Sequence, residues 1–540
     1  MRYGRDRERR LAPTSAIPAT QRLFGQALLK GLGLQATALA ALVALPLALF
    51  GPPPGDLPAH LYRTFLVEER ILVWDGHWYG GHYPLFSYSL LYYFPAALVG
   101  NELLAVAAVL AAAGLFGAVA EREWGASARW PVLAFAVFAA GPLFTGTYPY
   151  AAGLAAALAS LLAFQSGRPW LGLAAAALAV GFSPLAFLFL GLALAAALLA
   201  TRRVSRRTAA YAGIFALIGF VPVVAARLFP HDATYPFFRL IELLIVIALA
   251  ALGGWLARRD PRGNVLALFL LLWAIASVLA FLVPSPVGEN ITRLRGIVFP
   301  LVLLAAVLAR FRPVGVVVLA VAGAFAYNIV PWVAVIPHRT DGRPAQESFW
   351  RPALAFLAER NEPGFRVEVV PTGDHWEAYW LPTQGFPLAR GWYRQLDHAQ
   401  NRLFYEEPLR PAEYRAWLRE MGVRYVLLAD TQLGRMGEEL EAELLRSGRS
   451  GLRRTEVAGA VTIYELPEAT PILPGGVITR YGHDRIEGRV PGPGVYPLAV
   501  RWTPYLRVET GAVRLERVGD DGTRLVARSA GPFVVEVGLR

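Results

Sequence analysis

The chain has 540 residues, 55% of them hydrophobic and only 17% charged, with a mean hydropathy of +0.42. So apolar a composition excludes an ordinary water-soluble multidomain protein and makes a bilayer part of the solvent. The absence of cysteine excludes disulfides, thiolate metal sites and cysteine nucleophiles, and the net charge of +12 falls at the ends of apolar runs, which points to topology and away from nucleic acid as its cause.

Residues 1–31 form a basic N-terminus carrying Arg2, Arg5, Arg7, Arg9 and Arg10; Lys30 is the only lysine of the chain. The apolar run at 32–50 is long enough to span and lacks a small-residue cleavage site, so a retained first helix with a cytoplasmic N-terminus is expected rather than a signal peptide. Further apolar runs lie near 84–99, 102–119, 129–145, 149–165, 169–182, 184–200, 208–227, 236–256, 264–283, 296–309 and 314–334. Three short loops are arginine-rich: Arg202, Arg203, Arg206 and Arg207; Arg258, Arg259 and Arg262; Arg310 and Arg312. The positive-inside rule places them in the cytoplasm, so the last span delivers the C-terminal region to the outer face.

A cytoplasmic start and an external end require an odd number of crossings, whereas the runs number twelve. The Tyr- and Pro-rich run from Pro84 to Gly100 is the one expected to be re-entrant or juxtamembrane, with the Ser183-Pro184 junction as the second place where runs are miscounted. Eleven or thirteen spans are therefore expected within a transmembrane domain covering 32–335.

From 338 the composition is that of a soluble domain. Residues 351–360 read as an amphipathic helix and RVEVV as a strand, and PAEYRAWLREMGVRYVLLAD reads as a helix stopped at Gly422 before a buried strand. This predicts an α/β subdomain over 338–468. From 469 to 540, strand-like runs such as GVYPLAVRW, YLRVETG and FVVEVGLR between Gly and Pro punctuation predict a β-sandwich. No phosphate-binding glycine loop, zinc spacing or solenoid period occurs.

The most informative stretch is the first outer loop, 51–83, GPPPGDLPAHLYRTFLVEERILVWDGHWYGGHY. Asp56 and His60 stand four apart at the start of a helix, hence on one face, with Arg63 about a turn later. Glu68, Glu69, Trp74, Asp75, His77, Trp78 and His82 come after them. Such a cluster can place a carboxylate base and hold a polar ligand against aromatic faces. Each residue also has a plainer role: Asp56 as N-cap ahead of Pro58, His60 as an interfacial histidine, Trp74, Trp78 and Tyr79 as an aromatic belt, and Glu68 and Glu69 as a solvated face.

GDLPAH after the first span, then an amphipathic helix, then W-D-x-x-W-Y-G-G-x-Y-P-L leading into a Tyr- and Pro-rich run, resembles the GT-C superfamily of membrane glycosyltransferases, in particular its bacterial members. The resemblance implies a many-span α-helical fold with an extracytoplasmic C-terminal domain, a plasma-membrane location, a polyprenyl-phosphate-linked sugar donor and a glycan, lipid or protein acceptor in the cell envelope. It implies that Asp56 is the first-loop acid, acting as base or as ligand of a divalent metal, with His60 its catalytic neighbour and Arg63, Trp74, Asp75, His77 and Tyr83 around the substrate. No Asp-Asp or Asp-x-Asp pair accompanies Asp56, since Leu57 and Pro58 follow it, so no obligate metal is implied.

The leaving phosphate would need cations. Arg293 and Arg295, in the loop with Glu289 and Asn290 on the same outer side, offer forked donors, or else anchor a helix end at the headgroups. Asp374-His375-Trp376, Gly391-Trp392-Tyr393 and Asp397-His398 are candidates to face an acceptor glycan, and equally ordinary core residues; His231 and Asp232 read only as loop. Two other classes compete: a transporter or flippase for lipid-linked glycans, against which the nearly charge-free spans argue, and a non-catalytic envelope scaffold in which Asp56 is replaceable.

Overall fold

The structure, a computed structural model, describes residues 31–85, 89–201, 204–229, 234–235, 237, 239–310, 314–335, 342–405, 408–434 and 437–538, without the side chains of 314, 317, 320 and 330–335. The N-terminus up to residue 30, Arg202, Arg203, Arg312 and the His231–Asp232 loop lie outside the described residues.

The apolar runs fold as helices because in hydrocarbon every backbone N–H and C=O must be satisfied within its own segment. In chain order these are α1 (Leu32–Phe50), α2 (Leu57–Glu68), α3 (Tyr93–Val99), α4 (Asn101–Trp124), α5 (Arg129–Phe138), α6 (Gly141–Thr145), α7 (Tyr148–Gln165), α8 (Pro169–Phe182), α9 (Pro184–Thr201), α10 (Arg206–Ile218), α11 (Val221–Leu228), α12 (Leu240–Ala257), α13 (Asn264–Leu282), α14 (Arg295–Ala309) and α15 (Val314–Val335). Eight stretches among the described residues are helical, apolar and long enough to cross a membrane: 32–50, 101–145, 148–165, 184–201, 206–228, 240–257, 261–282 and 288–309. None of the residues of α10 and α11 is buried, so this apolar stretch needs lipid around it. Together they suit a multi-pass membrane protein.

Among its described residues the Pro84–Gly100 run contains one α-helix, α3, seven residues long, about 10 Å at the helical rise and a third of the hydrocarbon thickness. Ser183 leaves the helical region between α8 and α9, so that junction separates two helices. Small residues let the bundle close: Ala36, Ala40 and Ala44 form a fully buried stripe on α1, which packs on α4, and a Cβ on Gly117 would meet Gly33 at 2.8 Å.

The two ends of the bundle differ. At one end Glu121 caps α1 through the Leu32 N–H at 3.1 Å, Arg122 bonds Ser166, and the Trp124 indole bonds the Arg262 carbonyl at 3.0 Å. At the other, Leu90 and Leu91 N–H both donate to Gly181 at 2.9 Å, and the Trp273 indole donates to Ile291 at 3.1 Å. The C-terminal region lies at this second end, where the Tyr505 hydroxyl reaches the Leu228 carbonyl.

That region continues with α16 (Glu347–Arg360), β3 (Arg366–Val369), α17 (Glu377–Thr383), α18 (Arg394–Gln400), α19 (Pro411–Glu420), β4 (Val423–Ala429), α20 (Glu438–Arg446), β5 (Arg453–Ala458) and β6 (Val461–Glu465). The sheet order is β3-β4-β6-β5, with β3 and β4 parallel and the other pairs antiparallel. Gly422, at φ +69, makes the turn between α19 and β4 that a side chain would resist. Seven more strands complete the chain, β7 (Val477–Tyr481), β8 (Arg485–Val490), β9 (Gly494–Leu498), β10 (Leu506–Thr510), β11 (Val513–Val518), β12 (Gly522–Ala527) and β13 (Gly531–Val537). They form two antiparallel sheets, β10-β13-β8-β7 and β11-β12-β9, over a core that includes Ile486, Leu525, Phe533 and Val535. Buried Arg366 ties the two parts together, donating to the Met421 carbonyl at 2.7 Å and the Tyr481 hydroxyl at 2.8 Å.

Candidate functional site

After the Pro-rich turn at 52–54 the chain enters α2, with Asp56 at the N-cap position and Pro58 in the first turn. Its backbone is already helical, φ −86 and ψ −2, and its side chain makes no capping bond. Capping therefore does not account for this carboxylate. With His60 and Arg63 on the same face, it lines a cavity of about 480 Å³ at the C-terminal-domain end of the bundle. Tyr83, Arg293 and Arg295 line it too, and the C-terminal domain adds Trp392, Tyr393 and Arg394. Asp56, His60, Arg63, Tyr83, Arg293 and Arg295, with Trp392 and Tyr393 of the acceptor candidates, thus converge on one space.

His60 is 4% exposed, and both ring nitrogens are engaged: Nδ1 with the Tyr93 hydroxyl at 3.0 Å and Nε2 with the Gly146 carbonyl at 2.6 Å. A carbonyl only accepts, so Nε2 carries the proton and Nδ1 accepts from Tyr93. Burial pushes the imidazole down to about 4; Asp56 and the Gly146 bond pull the other way, and Arg63 and Arg293 add to the depression. The ring stacks on Tyr148 at 5.4 Å. This geometry makes His60 a neutral strut between α2 and Gly146 in place of a proton acceptor. Gly146 sits at φ +82, and a Cβ there would meet the Asp56 Cβ at 2.8 Å. The strut therefore holds the backbone against which Asp56 rests.

Arg63, 4% exposed, donates to the Leu85 carbonyl and lies over the rings of Tyr93, at 4.6 Å, and Tyr83, at 5.6 Å. Arg295, the first residue of α14, donates to Thr292 at 2.9 Å and covers Tyr327 at 5.0 Å. Arg394 covers Trp392 at 5.4 Å, and Trp392 itself stacks on His375 at 3.6 Å. Among the described lining residues there are four arginines and a single acid, Asp56. Guanidinium forks in a partly desolvated cavity suit a phosphate or diphosphate. A divalent metal fits poorly: among the described residues no three His, Asp or Glu side chains converge, and His60 has no nitrogen to spare.

Trp74, Asp75 and His77 do not line the cavity. They build the joint between the loop and the C-terminal domain, where β1 (Trp74–Asp75) pairs with β2 (Tyr83–Pro84). Asp75 is fully buried and accepts from the Tyr62 hydroxyl at 2.9 Å, His483 Nδ1 at 2.8 Å and the His77 N–H at 3.1 Å. The His77 ring touches His483, with centroids 3.8 Å apart, and faces the carbonyls of Pro382 and Tyr481 at 3.2 and 3.3 Å. Burial, then His483, push His77 down to about 4 against the pull of Asp75. A neutral ring has a proton for only one of its two long bonds to carbonyls. The Trp74 indole is bonded to Gly81 at 2.8 Å. Trp78 donates to Ala378 at 3.1 Å, and Gly391 is kept side-chain-free because a Cβ would strike the Trp78 ring. Tyr79, at φ 54, exchanges bonds with the Tyr393 backbone at 2.7 and 3.1 Å, which anchors the Trp392–Arg394 segment over the cavity.

Of the remaining candidates, Trp376 lines a second cavity of about 660 Å³ behind α2, together with Trp380 and Asn101, and Asp397 is bonded to Asn401 at 2.8 Å and Tyr405 at 2.5 Å. Arg394 and Asn328 were not singled out in the sequence. Arg394 is one of many arginines in the C-terminal region, and the tertiary contact of Tyr79 with Tyr393 holds the neighbouring backbone at the cavity. Asn328 carried a readable signal, a lone amide in an apolar helix. Compared with protein-family models and with curated proteins, the chain matches none.

Proposed function

We propose that the protein is a membrane glycosyltransferase that takes a sugar from a polyprenyl-phosphate lipid and transfers it to a hydroxyl or amide of a cell-envelope acceptor at the outer face. The observation that carries this is one cavity, at the membrane end that bears the C-terminal domain, in which an uncapped carboxylate faces four arginines. The acceptor O–H or N–H gives its proton to Asp56 as the acceptor atom bonds to the anomeric carbon. The bond from that carbon to the phosphate oxygen breaks, and its electron pair stays on the phosphate, held by Arg293, Arg295 and their neighbours. Phe135, Phe138 and Ile297 along the same cavity suit the first isoprene units of the lipid.

Orientation follows from charge. Arg258, Arg259, Arg262 and Arg310 belong to the end away from the cavity, which is the cytoplasmic one by the positive-inside rule. We count eleven crossings: α1, α4, α5 with α6, α7, α8, α9, α10 with α11, α12, α13, α14 and α15. Both α2 and α3 stay at the outer face.

Purified protein in nanodiscs, given a panel of polyprenyl-phosphate sugars and envelope acceptors, should release lipid phosphate and form glycosylated product. Asp56→Asn should lower turnover about 10²- to 10⁴-fold, the usual worth of a general base, with unfolding unchanged. Equal turnover in the variant removes Asp56 from the chemistry, and absence of turnover with every donor, alongside binding of lipid-linked glycans, turns the assignment toward transport.

A further inference from the structure

Asn328 lies in α15 among apolar residues, in the sequence GAFAYNIV. It is 3% exposed, lines the cavity, and neither its Nδ2 nor its Oδ1 has a hydrogen-bond partner among the described residues. A buried amide with both ends unpaired is costly, and a membrane-embedded polar group persists where a ligand completes it. Its neighbour Tyr327 lies under the Arg295 guanidinium at 5.0 Å, and Asn328 and Arg295 line the same cavity.

The chemistry of an amide narrows the ligand. Ionised phosphate oxygens only accept, so a phosphate would satisfy Nδ2 and leave Oδ1 unpaired. An isoprene chain would satisfy neither. Two adjacent sugar hydroxyls satisfy both, one accepting from Nδ2 and one donating to Oδ1. Resting on the transferase assignment above, we infer that Asn328 binds a hydroxyl pair of the donor sugar and distinguishes sugar-loaded lipid phosphate from the bare lipid phosphate that leaves. The arginines would attract the bare monoester, with its second ionisable oxygen, at least as strongly as the singly charged loaded diester, and Asn328 would add to the affinity of the loaded one alone.

The test is a binding titration of wild type and Asn328→Leu in phosphatidylcholine nanodiscs, with undecaprenyl phosphate and with undecaprenyl-phosphate glucose, mannose and galactose. Leucine is close in size and at home in an apolar helix. Wild type should bind at least one of the sugar lipids about tenfold more tightly than Asn328→Leu does, the worth of two neutral hydrogen bonds. Asn328→Leu should keep its affinity for undecaprenyl phosphate, which also reports that it has folded. Equal affinity of wild type and Asn328→Leu for every sugar lipid overturns the role of Asn328 while leaving the arginine site standing. Failure of wild type to bind undecaprenyl phosphate at all overturns the transferase assignment and this one with it.

Discussion

The two halves of the first outer loop carry similar residues and put them to opposite uses. In the front half, Asp56 and Arg63 border open space, and the Asp56 carboxylate makes no capping bond. In the rear half, Asp75 is sealed and accepts three hydrogen bonds, and His77 is wedged against His483 and two carbonyls. A buried carboxylate with both oxygens engaged is a structural fastener, whereas one that borders a cavity and caps no helix is available to a substrate. Density of titratable residues in a sequence therefore marks a place, and the state of hydrogen bonding decides between chemistry and attachment.

His60 cuts across this division, because it belongs to the front half and is as buried as His77. That supplies the largest expected effect on stability. Both histidines fall from 6.5 to about 4 on folding. Between those values the unfolded chain binds protons that the folded chain refuses, so stability is intact above pH 6.5 and is lost as pH falls toward 4. A shift of this size is worth about 3 kcal/mol per histidine. Unfolding followed from pH 7.5 to 4 should show a steep loss below 6.5, and His77→Gln should roughly halve its pH-dependent part. A flat profile would mean that one or both rings are charged in the folded protein.

The next effect separates the two carboxylates. Asp75→Ala removes the acceptor of Tyr62, of His483 and of the His77 backbone inside a closed joint, and should destabilise the protein by about 3 kcal/mol. Asp56→Ala should leave unfolding within about 0.5 kcal/mol of wild type, as for a residue with no engaged partner. Comparing the two by thermal unfolding in detergent breaks the distinction if the shifts are equal.

Much of this was legible in the sequence, and the limits have physical causes. Run length located the helices, and Pro84–Gly100, the run singled out as re-entrant or juxtamembrane, holds α3, seven residues long. The helix, Gly422 and strand of the α/β part, and β9, β10 and β13, obey turn punctuation and periodicity, which are local signals. The division within the loop was not legible, because Asp75 is claimed by His483 from the far end of the chain, and Arg394 enters through Tyr79 and Tyr393. Contacts made across domains leave no local pattern, so Trp74, Asp75 and His77 read in the sequence like neighbours of a substrate.

A modest effect on stability is expected at Gly146, and it tests the front half most narrowly. Gly146 has φ +82 and lies within 2.9 Å, measured from an added Cβ, of the Asp56 backbone nitrogen. Gly146→Ala therefore brings left-handed strain of about 1–2 kcal/mol and pushes the start of α2 away from its seat. The His60 bond to the Gly146 carbonyl, 2.6 Å, keeps the two segments coupled, so the displacement passes to Asp56 rather than being absorbed in the loop. A misplacement of about 1 Å costs on the order of 10²-fold in a positioned reaction. Turnover of Gly146→Ala should accordingly fall far more than its unfolding temperature, the reverse of Asp75→Ala. If Gly146→Ala instead loses stability and keeps its turnover, the seat of Asp56 is not what sets the reaction, and the front half would have to be regarded as attachment like the rear.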